Sequence, residues 1–227
     1  MSQGCPYKCT AIIATVLGAP GNSTITEGAS EKGPSNPTED TTTAEAGNIT
    51  HLDIDWTRRT EVWQGFYGNV SGSISLQTGG GDVFYEWNAT TMQGEVLATR
   101  DSITDWSAIN CTNSTHWETE ESALSISTTS VEGINETYDT TTHAEFSIGS
   151  KTFDANTCRA VRPFVTGGVE GAFYNIMLNT DVDTTVYTAI LAEDTAGFDS
   201  AEVDFELLVP VNTATGQSTY YFYVEIA

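Results

Sequence analysis

Lysine is nearly absent from this chain. Only Lys8, Lys32 and Lys151 occur, and Lys plus Arg total 8 against 31 Asp and Glu, for a formal net charge of −23. Nucleic acid is excluded as a partner, because phosphate binding needs clustered Lys and Arg. An anionic membrane surface is disfavoured on the same ground. A carboxylate-rich, lysine-poor surface is either ordinary acidity or an adaptation that keeps a protein solvated in a salty medium. Long apolar runs are also missing, so no membrane span is expected. Histidine is scarce: His51, His116 and His143 occur, none of them in an HExxH pattern. The chain has no G-x-S-x-G elbow and no glycine-rich loop opening a helix, so neither that nucleophile nor a phosphate cradle is expected. Carboxylates are so common that choosing two as a glycosidase pair would be arbitrary.

Cysteine is sparse but even in number: Cys5, Cys9, Cys111 and Cys158. In a secreted chain that count predicts two disulfides, with three ways to pair them. Cys5 with Cys9 and Cys111 with Cys158 costs least in topology, because the first two lie in one short turn around Pro6. A four-cysteine zinc site is the rival. Its signature is two closely spaced pairs, and Cys111 and Cys158 are far apart.

What is present is strand and turn. The organising stretch runs from Trp63 to Leu76, where Val70, Gly72, Ile74 and Leu76 alternate with Asn69, Ser71, Ser73, Ser75 and Gln77. That period of two marks a half-buried strand. Gly79-Gly80-Gly81-Asp82 turns the chain, and Val83, Tyr85 and Trp87 form a second apolar row. An antiparallel hairpin is predicted, with its aromatics in the core and one face wet. Residues 10–17 form a strand candidate with Ile12, Ala14 and Val16 on one face and Ile13 and Leu17 on the other. Such a strand wants burial on both sides. The same run follows Lys8 and resembles a short signal core. Thr15 and Pro20 argue against that, so the chain is read as mature or nearly so.

From Gly18 to Gly47 the chain is Gly, Ser, Thr, Pro, Glu and Ala, with Ile25 its only large apolar residue. This leader cannot bury enough to order itself. The expected division is therefore an N-terminal strand and leader over residues 1–47 and one domain over 48–227. Within the domain, 49–54, 95–99, 123–128, 143–148, 160–165, 173–179 and 185–191 are strand candidates, and 101–122 reads as loop. The clearest pair closes the chain. Val203, Phe205, Leu207 and Val209 alternate with Glu202, Asp204 and Glu206; after a turn at Thr215-Gly216, Tyr220, Phe222, Val224 and Ile226 alternate with Tyr221, Tyr223 and Glu225. With no convincing helix, the fold class is all-β: an antiparallel β-sandwich, Ig-like or jelly-roll-like, with an extended N-terminal strand.

Seven acceptor sequons stand at Asn22, Asn48, Asn69, Asn88, Asn110, Asn113 and Asn135, while Asn36-Pro-Thr is excluded by its proline. A chain this rich in Asn, Ser and Thr yields about half that number by chance. The excess points to N-linked glycans. Calcium is the metal the donors admit, at Asp181-Val-Asp183, Asp53-Ile-Asp55 and Asp194 with Asp199, although none matches the spaced calcium loop.

Trp63-Gln-Gly-Phe-Tyr-Gly-Asn-Val-Ser-Gly-Ser-Ile-Ser-Leu76, Val83-Phe-Tyr-Glu-Trp87 and the ending Thr219-Tyr-Tyr-Phe-Tyr-Val-Glu225 resemble a group of secreted archaeal surface proteins. The resemblance covers the chain from about residue 50 to its end, rests on structural motifs and implies an extracellular location without an activity. A hydrophobic N-terminal strand on a polar leader is also similar in layout to donor-strand filament subunits. The expected function is a non-enzymatic, glycosylated subunit of an extracellular filament, tube or surface layer. It would polymerise with itself through Ile12, Ile13, Val16 and Leu17. A monomeric adhesin or carbohydrate-binding module is the alternative, and a secreted hydrolase stands third.

Overall fold

The computed structural model describes residues 20–22, 24–33, 41–54, 58–72, 74–87, 93–165, 169–180 and 184–226. Strand outweighs helix, 34% against 8%, so the fold is all-β. The strands in chain order are β1 (Gly21–Asn22), β2 (Trp63–Gly68), β3 (Ile74–Gln77), β4 (Val83–Trp87), β5 (Gly94–Thr99), β6 (Asn110–Cys111), β7 (Phe146–Ile148), β8 (Lys151–Phe153) and β9 (Ala160–Val161). They continue as β10 (Phe164–Val165), β11 (Val169–Glu170), β12 (Asn175–Asn179), β13 (Thr185–Ile190), β14 (Thr195–Ala196), β15 (Glu202–Val203), β16 (Phe205–Pro210) and β17 (Tyr221–Ile226). Two helices, α1 (Ser114–Ala123) and α2 (Ile134–Thr137), lie between β6 and β7.

A seven-stranded antiparallel sheet in the order β1-β17-β5-β13-β12-β6, with β9 also on β12, forms the centre. It is covered on both faces. On one face Val96, Ala98, Met177, Tyr187 and Ala189 pack with Leu207 and Val209 of the β2–β16 pair and with Leu124, Ile134 and Tyr138 around the helices. On the other, Leu97, Ile176, Leu178, Val186 and Tyr223 pack with Trp106, Ile109 and the β7–β8 hairpin residues Phe146, Ile148 and Phe153. Side chains alternate across a strand, so a sheet covered twice buries every position. Every residue of β5 and β12 is accordingly buried.

Buried and half-buried tyrosines tie the layers together. Tyr138 Oη donates to the Leu208 carbonyl at 3.0 Å, Tyr220 Oη to the Pro210 carbonyl at 2.6 Å and Tyr187 Oη to Glu120 Oε1 at 3.2 Å. Tyr223 Oη accepts from Ile103 N at 2.9 Å. Each satisfied hydroxyl lets a large ring be buried without an orphan polar atom. Desolvation raises the Tyr138, Tyr187 and Tyr220 hydroxyls well above the ordinary tyrosine range.

Several expectations are corrected. The two closing strands do not pair with each other: β16 pairs with β2, and β17 with β5. Asp204 and Glu206, which alternate with the apolar row, are buried as well. Asp204 accepts from Val70 N at 2.8 Å and Asp194 N at 3.1 Å, and Glu206 from Phe198 N at 2.6 Å. Tyr223 and Glu225 are buried too, because the second face of the sheet is covered. Residues 49–54 form no strand and are exposed. Residues 101–122 are not all loop, since α1 starts at Ser114, and 123–128 are its end and a turn rather than a strand. The helix escapes periodicity because only Trp117 and Ala123 are apolar in it, and the residues it buries are Glu120 and Glu121. A capping box starts it: Asn113 Oδ1 accepts from Thr115 N at 3.1 Å, and His116 Nδ1 accepts from Asn113 N at 3.0 Å.

Cys111 and Cys158 form a disulfide, with Cα atoms 5.0 Å apart. That removes the four-cysteine zinc reading, because disulfide sulfurs are not thiolate ligands. Cys5 and Cys9 lie outside the described residues, as do Ile12, Ile13, Val16 and Leu17.

Candidate interaction surface

The organising hairpin forms at its glycine turn, with the opposite burial and a shorter first strand: β3 covers Ile74–Gln77, and residues 69–72 of the predicted alternation are not strand. Among the described residues β3 and β4 pair only with each other, with Ile74 opposite Trp87 and Leu76 opposite Tyr85. The turn is closed by Thr78, whose N donates to the Asp82 carbonyl at 2.9 Å and whose Oγ1 accepts from Asp82 N at 3.1 Å. Gly81 takes φ +92°, which a side chain rarely adopts. Leu76, Val83, Tyr85 and Trp87 are exposed, and Phe84 on the other face is 83% exposed. Tyr85 and Trp87 meet edge to face at 4.8 Å. The aromatic row therefore lies outside the core. The core is already filled by the β2–β16 layer, and β2, at the head of the same stretch, is committed to β16 instead. A lone two-stranded hairpin is marginal in water, and clustered exposed apolar groups mark interaction sites.

The second exposed feature is an edge. β17 has β5 on one side. On the other, among the described residues, β1 pairs through Gly21 with Val224 and Asn22 with Tyr223. Unpaired edge groups are a template for another strand.

The predicted site residues are dispersed. Asn48, Asn69, Asn110 and Asn113 are exposed, and Asn135 is half-buried between Arg159 and Glu136. Asn22 lies in β1, and Asn88 is outside the described residues. Asn113 uses its Oδ1 as a helix cap, which leaves Nδ2 for a sugar. In the Asn110 sequon the third residue, Thr112, is buried with its hydroxyl donating to the Met177 carbonyl at 3.0 Å.

Among the described residues the calcium candidates do not converge. Exposed Asp53 lies 3.6 Å from His51, and Asp199 accepts from Ala201 N at 3.0 Å. Asp55, Asp181 and Asp183 are outside the described residues. Among the described residues no three His, Cys, Asp or Glu are grouped to hold a metal ion, and no helix is long and apolar enough to cross a membrane.

Two histidines are spent on structure. His116 closes the α1 cap and touches Asn179 at 3.0 Å. Buried His143 accepts from Thr157 N and Cys158 N at 3.0 and 2.9 Å through Nε2, so its proton sits on Nδ1, which donates to the Ala144 carbonyl. A shallow open groove of about 510 Å³ lies beside the disulfide, lined by Asn110, His116, Lys151, Asp154 and Asn179. Lys151 is committed there to the Ile109 carbonyl and Asn110 Oδ1. Comparison with protein-family models, curated proteins and solved structures finds no match to this chain.

Proposed function

We propose that this protein is a structural subunit of an extracellular filament, tube or surface layer, of the archaeal surface type its sequence resembles. It is N-glycosylated and polymerises with itself through its N-terminal strand. The observation that carries this reading is the edge of β17, which among the described residues is paired only by the two residues of β1. Gly21 stands opposite Val224 in an antiparallel register, so a strand carried back from Gly21 reaches Ile226 after two more positions. Burying Ile12, Ile13, Val16 and Leu17 is worth ~1.5–3 kcal/mol each, and the sheet of a second copy offers that burial with backbone hydrogen bonds. Head-to-tail exchange of this kind does not close, so it builds a polymer. The exposed β3–β4 hairpin supports the same reading, as a surface that an assembly would cover. The role proposed is a structural one and not a catalytic one.

Deletion of residues 1–20 tests it. Electron microscopy at native salt should show polymers of the full chain and dispersed truncated protein. Polymers of the truncated protein, or a full chain that stays monomeric when concentrated, would overturn strand donation.

A monomeric adhesin or carbohydrate-binding module is the second reading. The exposed Tyr85–Trp87 pair favours it, because aromatic faces stack on sugar rings. Glycan-array binding by dispersed monomers, abolished in Trp87→Ala, would move the assignment there.

A further inference from the structure

Two carboxyl groups face each other inside the molecule. Glu95 of β5 and Glu225 of β17 are direct cross-strand partners in the central sheet, 4% and 2% exposed. Directly opposed side chains have Cβ atoms about 4.5–5.5 Å apart, and like charges there repel. Backbone packing at this point is close. Gly94 has φ +139°, and a Cβ added there would run into the Glu225 carbonyl.

The β7–β8 hairpin covers the pair. Gly149 N, in the turn of that hairpin, donates to both Glu225 carboxyl oxygens at 2.9 and 2.8 Å. The Ser147 amide supports the Glu95 carboxyl. Glu95 Oε2 is buried without a hydrogen-bond partner.

The groups around the pair supply no cation among the described residues. From β13 the residue opposite Glu95 is Ile190. From β17, the nearest titratable group on the same face is Tyr223, whose hydroxyl accepts from Ile103 N. From the hairpin, Lys151 is held at Ile109 and Asn110, and its ammonium lies 5.3 Å from the Phe153 ring. The charge acting on Glu95 is that of Glu225.

We propose that Glu95 and Glu225 share one proton and form a latch that holds the β7–β8 hairpin on the central sheet and releases it in alkaline solution. The Gly149 hydrogen bonds favour the carboxylate on Glu225, so the proton resides on Glu95, which is then buried without a charge. Burial, and then the Glu225 charge, push the Glu95 carboxyl up to about 8, and burial raises Glu225 as well. Unfolded, Glu95 ionises near 4.5. The folded state therefore holds an extra proton between these values. The latch is complete at and below the unfolded value and is lost as pH rises through about 8. With both groups ionised, two like charges stand buried under Gly149, and lifting the hairpin hydrates them.

Hydrogen exchange of the Gly149 amide and the residues 146–153 tests this in the full chain, corrected for intrinsic base catalysis. Between pH 6 and pH 9 protection should fall about a hundredfold, since the closed state keeps a proton that the opened state sheds, about a factor of ten per pH unit up to about 8 and nothing further above it. In Glu95→Gln protection should stay level over the same range. Wild-type protection that does not change, or an equal fall in Glu95→Gln, would overturn the latch. Should that variant not fold, carboxyl carbon NMR of the wild-type chain decides. One glutamate titrating above pH 7 supports the shared proton, and both titrating near 4.5 refute it.

Discussion

Asn175 joins the two layers by imitating a strand. Its Oδ1 accepts the Leu208 amide proton at 2.7 Å, and its Nδ2 donates to the Glu206 carbonyl at 2.6 Å. It stands on β12 and is fully buried. One carboxamide thus satisfies two backbone groups of β16, on the side of that strand away from β2. Asn175→Ala should destabilise the protein by about 2–4 kcal/mol, because both partners would be left buried and unpaired. Chemical denaturation of the two proteins measures it. A loss below about 1 kcal/mol would show that the layers are held by apolar packing alone.

A half-buried ion pair anchors α1. Arg100 Nε donates to Glu120 Oε1 at 3.0 Å, and Nη2 contacts Oε2; Glu120 is buried and also receives the Tyr187 hydroxyl. Arg100→Ala leaves Glu120 uncompensated. The cost should be about 2–3 kcal/mol, below the usual range for buried pairs because Arg100 is partly exposed. A melting point lowered by several degrees is the expected readout, and an unchanged one would count against the pair.

The Cys111–Cys158 bridge closes 47 residues that include α1, α2 and the β7–β8 hairpin. In the chain-entropy account it stabilises by ~4 kcal/mol. Melts with and without reductant should differ accordingly. Peptide mapping without reductant should recover these two cysteines in one linked fragment.

The β3–β4 hairpin separates folding from assembly. Phe84→Ser and Trp87→Ser remove exposed groups, so monomer stability should change by no more than about 0.5 kcal/mol. Polymer formation should fail or weaken. Loss of monomer stability without loss of assembly would return these aromatics to an ordinary structural role.

Exposed acceptors should carry sugar. Glycopeptide mapping is expected to find Asn48, Asn69 and Asn113 occupied, because they are exposed and outside the packed layers. Asn110 requires modification before folding, since the Thr112 hydroxyl is buried afterwards. An intact mass equal to the bare 24.4 kDa chain would remove the glycoprotein reading.

Period-two alternation, Gly-rich turns and the absence of helical periodicity made the all-β class and most strands legible in the sequence. Paired with Asp82, Gly79 to Gly81 had to turn, and Val83 to Trp87 had to extend. Cysteine arithmetic placed Cys111 against Cys158, because only one pairing kept the local loop local. Alternation states that a strand has two unlike faces, but it does not state which face meets the core. That is decided by which layers stack on the sheet, a property of contacts far apart in the chain. Hence Tyr85 and Trp87 lie outside, while Asp204, Glu206 and Glu225 lie inside on backbone donors that tertiary structure brought to them. The Glu95–Glu225 pair was illegible for the same reason. Its partners are 130 positions apart in number, and only the β5–β17 register sets them face to face.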